Sequence, residues 1–264
     1  RHERAPETRA LFGDLHVHTT YSFDAFAFGT LATPYDAYRY AKGEAIRHPG
    51  GFDVQLKQPL DFYAVTDHAM FLGLAPEAGN VETEFSKLPA SAPLNGLNNP
   101  DNMGLLSTIT RLKSFTSFLP DLVAGVRDGS IDANQLLDIT RTAWLDTIEA
   151  ADQFYDPGHF TTFVAYEYTT SSADRGNLHR NVIFKNSDNV PAVPFSRFHS
   201  QNPEDLWKWM DALRAKGVES LAIPHNSNGS NGQMFKLVDW AGIVNRSSKK
   251  SRNSSKSKRT FRRN

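Results

Sequence analysis

The stretch LFGDLHVHTTYSFDA, residues 11–25, decides how the rest of the chain is read. Leu11, Gly13, Leu15 and Val17 alternate with Phe12, Asp14, His16 and His18, the two-residue period of a β-strand. Successive strand side chains point to opposite faces, so Asp14, His16 and His18 share one face. Imidazoles two positions apart have Cα atoms about 7 Å apart, close enough to hold one borderline ion such as zinc. A lone histidine is more often a hydrogen-bonded structural residue. An Asp-x-His-x-His face followed by Ser22 and Asp24 instead points to metal.

The 264 residues and 39% hydrophobic content suit one large α/β domain. No apolar run approaches the length of a membrane-spanning helix. With zero cysteines there is no disulfide and no thiolate ligand, which leaves His, Asp and Glu to bind metal. The first residue is Arg1, and the expectation is that an upstream segment has been removed, by signal cleavage or by trimming. A periplasmic or secreted location follows from the first of these, and a cytoplasmic one otherwise. The net charge of zero hides an asymmetry. Nine of the 29 basic residues fall in positions 246–264, where there is no acid, which leaves a body of formal charge −9.

Along the chain, residues 33–45 read as a helix opened by Thr33 with Pro34 at its first position. Residues 59–69 read as a strand ending on Asp67 and His68, and carboxyl ends of strands are where barrels and open parallel sheets place reactive groups. Residues 71–100 read as a long loop over the site. Residues 102–128 and 132–155 carry helical spacing, the second with a stripe of Leu137, Trp144, Ile148, Ala151 and Tyr155 and a capping box from Asp132 to Gln135. Together, residues 71–158 form a helical insertion. Residues 159–169 follow as a strand with Phe163, Ala165 and Glu167 on one face. His179 shares a face with Asn177 and Asn181 in the next strand. Asn202 and Pro203 open a helix ending at Gly217, and a last strand, 219–223, leads into Pro224, His225 and Asn226.

The collected candidates are His16, His18, Asp24, His68, Glu167, His179 and His225. Mixed imidazole and carboxylate donors suit zinc, manganese or iron, and a glutamate can bridge two ions. His2, His48, His159 and His199 are set aside. Asp14 and Asp67 read as acceptors for the outer N–H groups of ligand imidazoles. A plainer reading of Glu167 pairs it with Arg180 as a buried ion pair.

GDLHVHTTYSFDAF, AVTDHA, AYEYT, NLHRN and IPHNSN resemble the motifs of the PHP (polymerase and histidinol phosphatase) superfamily, most closely its DUF3604 branch, over residues 11–241. The resemblance implies a distorted, TIM-barrel-like (β/α)7 barrel, up to three metals and phosphoester hydrolysis. Residue by residue it implies His16 and His18 on one metal, with Glu167 bridging to a second that His179 and His225 complete. Asp24 and His68 would serve a third. The family's closing Asp-x-His motif is absent, and a Ser/Lys/Arg/Asn-rich stretch follows Gly242.

The expectation is therefore a hydrolase domain over residues 1–242 whose C-terminal strands are truncated or replaced. Residues 243–264 would be a basic tail, unable to bury apolar surface and disordered when free. A broken reading frame explains that tail better than a functional contact with nucleic acid or another polyanion.

The resulting functional expectation is a metal-dependent phosphoesterase with two to three divalent ions, zinc first and manganese, iron, magnesium or calcium after it. Its substrate would be a small phosphomonoester or diester. Arg180 would bind the phosphate, with Asn226 or Tyr21 donating a further hydrogen bond. One rival is a catalytically weak metal- or phosphate-binding fragment governed by its tail. Another keeps the metals but hydrolyses a different bond. No oligomeric state follows from the sequence.

Overall fold

Residues 9–104, 107–172 and 176–235 are described by the structure, a computed structural model. In chain order the strands are β1 (Gly13–Asp14), the hairpin β2 (Ile46–Arg47) and β3 (Asp53–Val54), β4 (Phe62–Ala64), β5 (Thr161–Phe163) and β6 (Ala165–Tyr168). They continue with the hairpin β7 (Ser171–Ser172) and β8 (Gly176–Asn177), then β9 (Arg180–Phe184) and β10 (Ser220–Pro224). The helices are α1 (Phe23–Ala27), α2 (Pro34–Ala41), α3 (Leu74–Gly79), α4 (Thr108–Asp128), α5 (Ala133–Phe154) and α6 (Pro203–Arg214).

Two three-stranded sheets are joined by one extended segment. In the first, β1, β4 and β5 run parallel, with Gly13 opposite Phe62 and Phe62 opposite Thr161. A side chain at Gly13 would collide with Phe62, so that first position must be glycine. Past Val164 the chain enters β6 and changes sheet, pairing antiparallel with β9, which pairs antiparallel with β10.

This corrects the expected (β/α)7, TIM-barrel-like barrel: the sheets have three or two strands and none of them closes. A barrel of that kind needs parallel strands joined by crossovers of a dozen or more residues, usually helical. The connection from β4 to β5 provides one, carrying α3, α4 and α5. Only residues 169–179 lie between β6 and β9, and they hold the β7–β8 hairpin, so the chain returns antiparallel. The truncated strands and basic tail expected beyond Gly242 lie outside the described residues.

Local signals are kept where the chain caps its own helices. Thr33 and Asp36 form a capping box on α2, with Pro34 in the first turn. Asn202 caps α6 through the N–H of Glu204, ahead of Pro203. On α5, Asp132 accepts from the N–H of Asn134, and the expected box with Gln135 is replaced by this single bond. The buried face of α5 is Thr140, Ala143, Trp144, Thr147, Ala150 and Ala151, while Leu137 and Tyr155 of the expected stripe are exposed. Trp144 is fully buried and donates from Nε1 to the carbonyl of Pro191 at 2.7 Å; truncating such a side chain costs about 3–5 kcal/mol.

Residues 71–100 are not a loop. They form α3 and three short 3₁₀ turns that bury Phe71, Leu74, Phe85, Leu94 and Leu97 against Phe118 and Leu122 of α4. Turns of three to six residues are too short to register as a helical period, which is why the sequence pattern hides them. No helix among the described residues is long and apolar enough to cross a membrane.

Candidate metal centre

The parallel sheet delivers its polar groups where its strands end. His16 and His18 follow β1 past a bend at Leu15, held by Val17 N–H donating to Thr66 Oγ1 and Thr66 N–H to the Val17 carbonyl. Asp67 and His68 follow β4, and Glu167, past β5, bridges to His68. From the antiparallel sheet come His179, just before β9, and His225, just after β10. A hydrogen bond of 3.2 Å from His225 N–H to the His179 carbonyl holds these two ends together. Asp24 sits in the first turn of α1.

Five candidate imidazoles surround the Glu167 carboxylate, and Asp24 joins them through His18 and His68. Glu167 is fully buried. Its Oε1 lies 2.7 Å from His179 Nδ1 and 3.1 Å from His68 Nδ1. Its Oε2 lies 3.1 Å from Nε2 of both His18 and His225, and 3.9 Å from His16 Nε2. Three groups can each hold a metal ion: His16–Glu167–His225, His18–Asp24–His68 and His68–Glu167–His179, with ligand atoms in each within 4.8 Å of one another. This grouping differs from the one the resemblance implies. His179 and His225 fall in separate groups because they face different Glu167 oxygens, and His16 and His18 do because His18 also meets Asp24 through Nδ1.

Charge explains why the cluster is stable as a set. Burial alone would raise the Glu167 pKa, but the imidazoles of His179, His18, His225 and His68 hold it far below the usual carboxylate range. Burial would lower His18, yet hydrogen bonds to Asp24 and Glu167 push it up to about 10, and the same pair raises His68. Asp24 is correspondingly depressed: burial is outweighed by His18 and His68. His16 goes the other way, lowered by burial and by the nearby His225 and His18. Positive charge thus offsets the two carboxylates, and a divalent cation in the cluster would supply such charge to the same atoms.

The donor set fits a metal on a further observation. His225 Nε2 is buried and 3.1 Å from Glu167 Oε2, but it has no hydrogen-bond partner. A buried nitrogen aimed past its neighbour in this way is costly unless something else meets its lone pair.

The supporting contacts differ from those expected. Asp14 accepts from the backbone N–H of His16, and Asp67 from the N–H and hydroxyl of Thr19, so neither binds an imidazole. Burial pushes Asp67 up to about 6 against those Thr19 bonds. The imidazoles are steered instead by hydroxyls and an amide. Ser22 Oγ donates to Asp24 Oδ1 at 2.7 Å and meets His18 Nδ1 at 2.9 Å. Thr169 Oγ1 meets His68 Nδ1 and donates to Glu167 Oε1, and Asn181 Nδ2 is 3.4 Å from His16 Nδ1. Strand alternation is the signal for Thr169, two positions beyond Glu167 on the same face.

Of the three residues expected to handle substrate, Arg180 and Tyr21 make their contacts away from the ligands, and Asn226 adjoins His225. Arg180 is opposite Tyr168 in the sheet register whereas Glu167 is opposite Asn181, which puts Arg180 on the other face. There its guanidinium stacks 5.6 Å from the Trp207 ring centroid and touches Met234 Sδ, so it does not pair with Glu167. Burial lowers it to about 10, still charged at neutral pH. Tyr21 donates its hydroxyl to Asp146 Oδ2 at 2.5 Å, tying the ligand segment to α5 beside Tyr35. Asn226 is exposed in the left-handed region, φ 60°, a conformation asparagine tolerates, and opens a 3₁₀ turn next to His225.

This is an α/β chain in which five imidazoles and two carboxylates, with Glu167 and His68 buried among them, form groups that could hold a metal. More particularly, the chain belongs to the family described as "Protein of unknown function (DUF3604)", whose model matches residues 5–259. No curated protein and no solved structure matches it.

Proposed function

We propose that this protein is a metal-dependent hydrolase of phosphate esters, related to the PHP superfamily through its ligand motifs, with zinc as its leading metal. The observation that carries the reading is the sharing of Glu167 and His68 between groups, which suits a multinuclear site. Ions bound there would polarise phosphoryl oxygens and acidify a water. The chain's own part is to hold them: Glu167 presents one oxygen to each of two groups, while Thr169, Ser22 and Asn181 fix the imidazoles. Since no Arg or Lys is bonded to the seven ligands among the described residues, the metals themselves would meet the phosphate charge. The place of Arg180 on the far face favours one second reading, the same metals acting on another hydrolysable bond.

Elemental analysis of the purified protein, combined with a panel of phosphomonoesters, phosphodiesters and carboxylic esters, tests both. At least two ions per chain and chelator-sensitive phosphoester turnover are expected. His179→Ala and His225→Ala should each remove a different ion, and the double variant two. Loss of the same single ion in all three would restore the grouping that the resemblance implies, and a metal-free active protein would overturn the reading.

A further inference from the structure

Behind the loop that follows His68 lies a cavity of about 380 Å³, within the size range of small-molecule sites. Ala69 and Phe71, one and three residues past a candidate ligand, form one wall, and Leu74, Leu122, Leu136 and Phe198 form others. The lining is almost wholly apolar, yet the mouth is not sealed. Phe198 is 59% exposed, Val123 50%, Leu137 44% and Val126 36%, all converging on the same opening. Exposed large apolar side chains scattered singly need no account, but four around one apolar cavity do.

The cavity also has a charge at its rim. Arg127, in the last turn of α4, lines it and is exposed, with Asp128 as its neighbouring charge and no hydrogen bond or close ion pair among the described residues. The other polar groups lining it are Thr140, Ser196 and His199, and His199 Nδ1 already accepts from Ser196 N–H. An aromatic series runs from the mouth toward the metal cluster. Phe198 meets Phe71 edge-on at 4.9 Å, Phe71 meets Phe23 at 6.5 Å, and Phe23 stacks on His68 at 5.0 Å. Phe71 holds the bend with φ 63°, a costly conformation for a phenylalanine.

We propose that this cavity binds a small amphiphile, an apolar chain carrying one anionic group, with the chain among Leu122, Leu136 and Phe71 and the anion at Arg127. The site stands independently of the metal cluster and of any hydrolytic activity. Octanoate and octanol, titrated calorimetrically into the full chain, separate the two parts of the ligand. Octanoate should bind one to one with a negative heat-capacity change, the mark of apolar burial. Octanol should bind up to about fivefold more weakly, the ceiling for an exposed ion pair, and Arg127→Gln should erase that difference. Ala133→Trp, at an exposed position lining the cavity, should abolish binding of both while leaving cooperative unfolding intact. Val126→Phe at the mouth serves as the second filling variant if the first does not fold. Absence of saturable octanoate binding, or binding unchanged in a folded filled variant, would overturn the proposal.

Discussion

Glu167 and Arg180 are two buried charges in the same antiparallel sheet, one on each face, and their surroundings could hardly differ more. Around Glu167 four imidazole nitrogens stand at 2.7–3.1 Å, all on residues whose side chains could ligate a metal. Around Arg180 stand an indole ring and a thioether, with Nε left without a hydrogen bond. A buried charge is costly on either face. On the Glu167 side the compensation is exchangeable, which is what a binding site requires. On the Arg180 side it is fixed packing, a cation over an aromatic face between α6 and the sheet.

The comparison breaks first at Glu167. Glu167→Gln should eliminate both groups that contain it, leaving at most the ion held by His18, Asp24 and His68. Metal content per chain measures this directly, and an unchanged content would show that Glu167 is only a structural acid.

A second, smaller effect concerns protons. His18 is raised from 6.5 to about 10 in the folded chain, so its charged form stabilises the metal-free protein below about pH 6.5, and that contribution is lost as pH rises through 10. Glu167 and Asp24 are depressed, so their contribution is present above the ordinary carboxylate range and is lost in acid. The melting temperature of metal-free protein should therefore fall from pH 6.5 to pH 10. Zinc-loaded protein, which needs neutral imidazoles, should not follow it, and zinc binding at pH 7 should release protons. Melting curves that coincide with and without zinc across this range would contradict the exchange.

The smallest effect is expected on the other face. Arg180→Met should leave metal content and any phosphoester KM unchanged and shift stability by no more than about 1 kcal/mol, because a lost cation–π contact is offset by one less buried charge. A raised KM with intact metal content would return Arg180 to a substrate role and sharpen the contrast the opposite way.

How far the sequence could be read follows the same division. Alternation put His16 with His18, and Glu167 with Phe163 and Ala165, on one face each because it is a property of neighbouring residues. It also placed His179 with Asn181, and therefore Arg180 on the opposite side. The phosphate-binding role given to Arg180 came from its position next to a ligand in sequence, which on a strand means opposite faces. Asp14 and Asp67 misled for a related reason: they flank ligands, yet backbone groups of His16 and Thr19 reach them first. The 3₁₀ turns of residues 71–100 escaped because they are shorter than any period that composition can reveal.

By itself, the sequence determined the candidate ligands, the caps of α2 and α6 and the strand neighbourhoods of His68, Glu167 and His225, since these depend on residue type and on neighbours a few positions away. Only the tertiary structure decided that two separate sheets, and no barrel, bring those ends together, that Glu167 divides its oxygens between two groups, and that an apolar cavity opens behind His68. The physical reason is that strand pairing and convergence on a buried carboxylate are set by packing between segments far apart in the chain, as in the bond from Asn181 to the Leu15 carbonyl and the contact between the His16 and His225 rings. No local pattern carries that information.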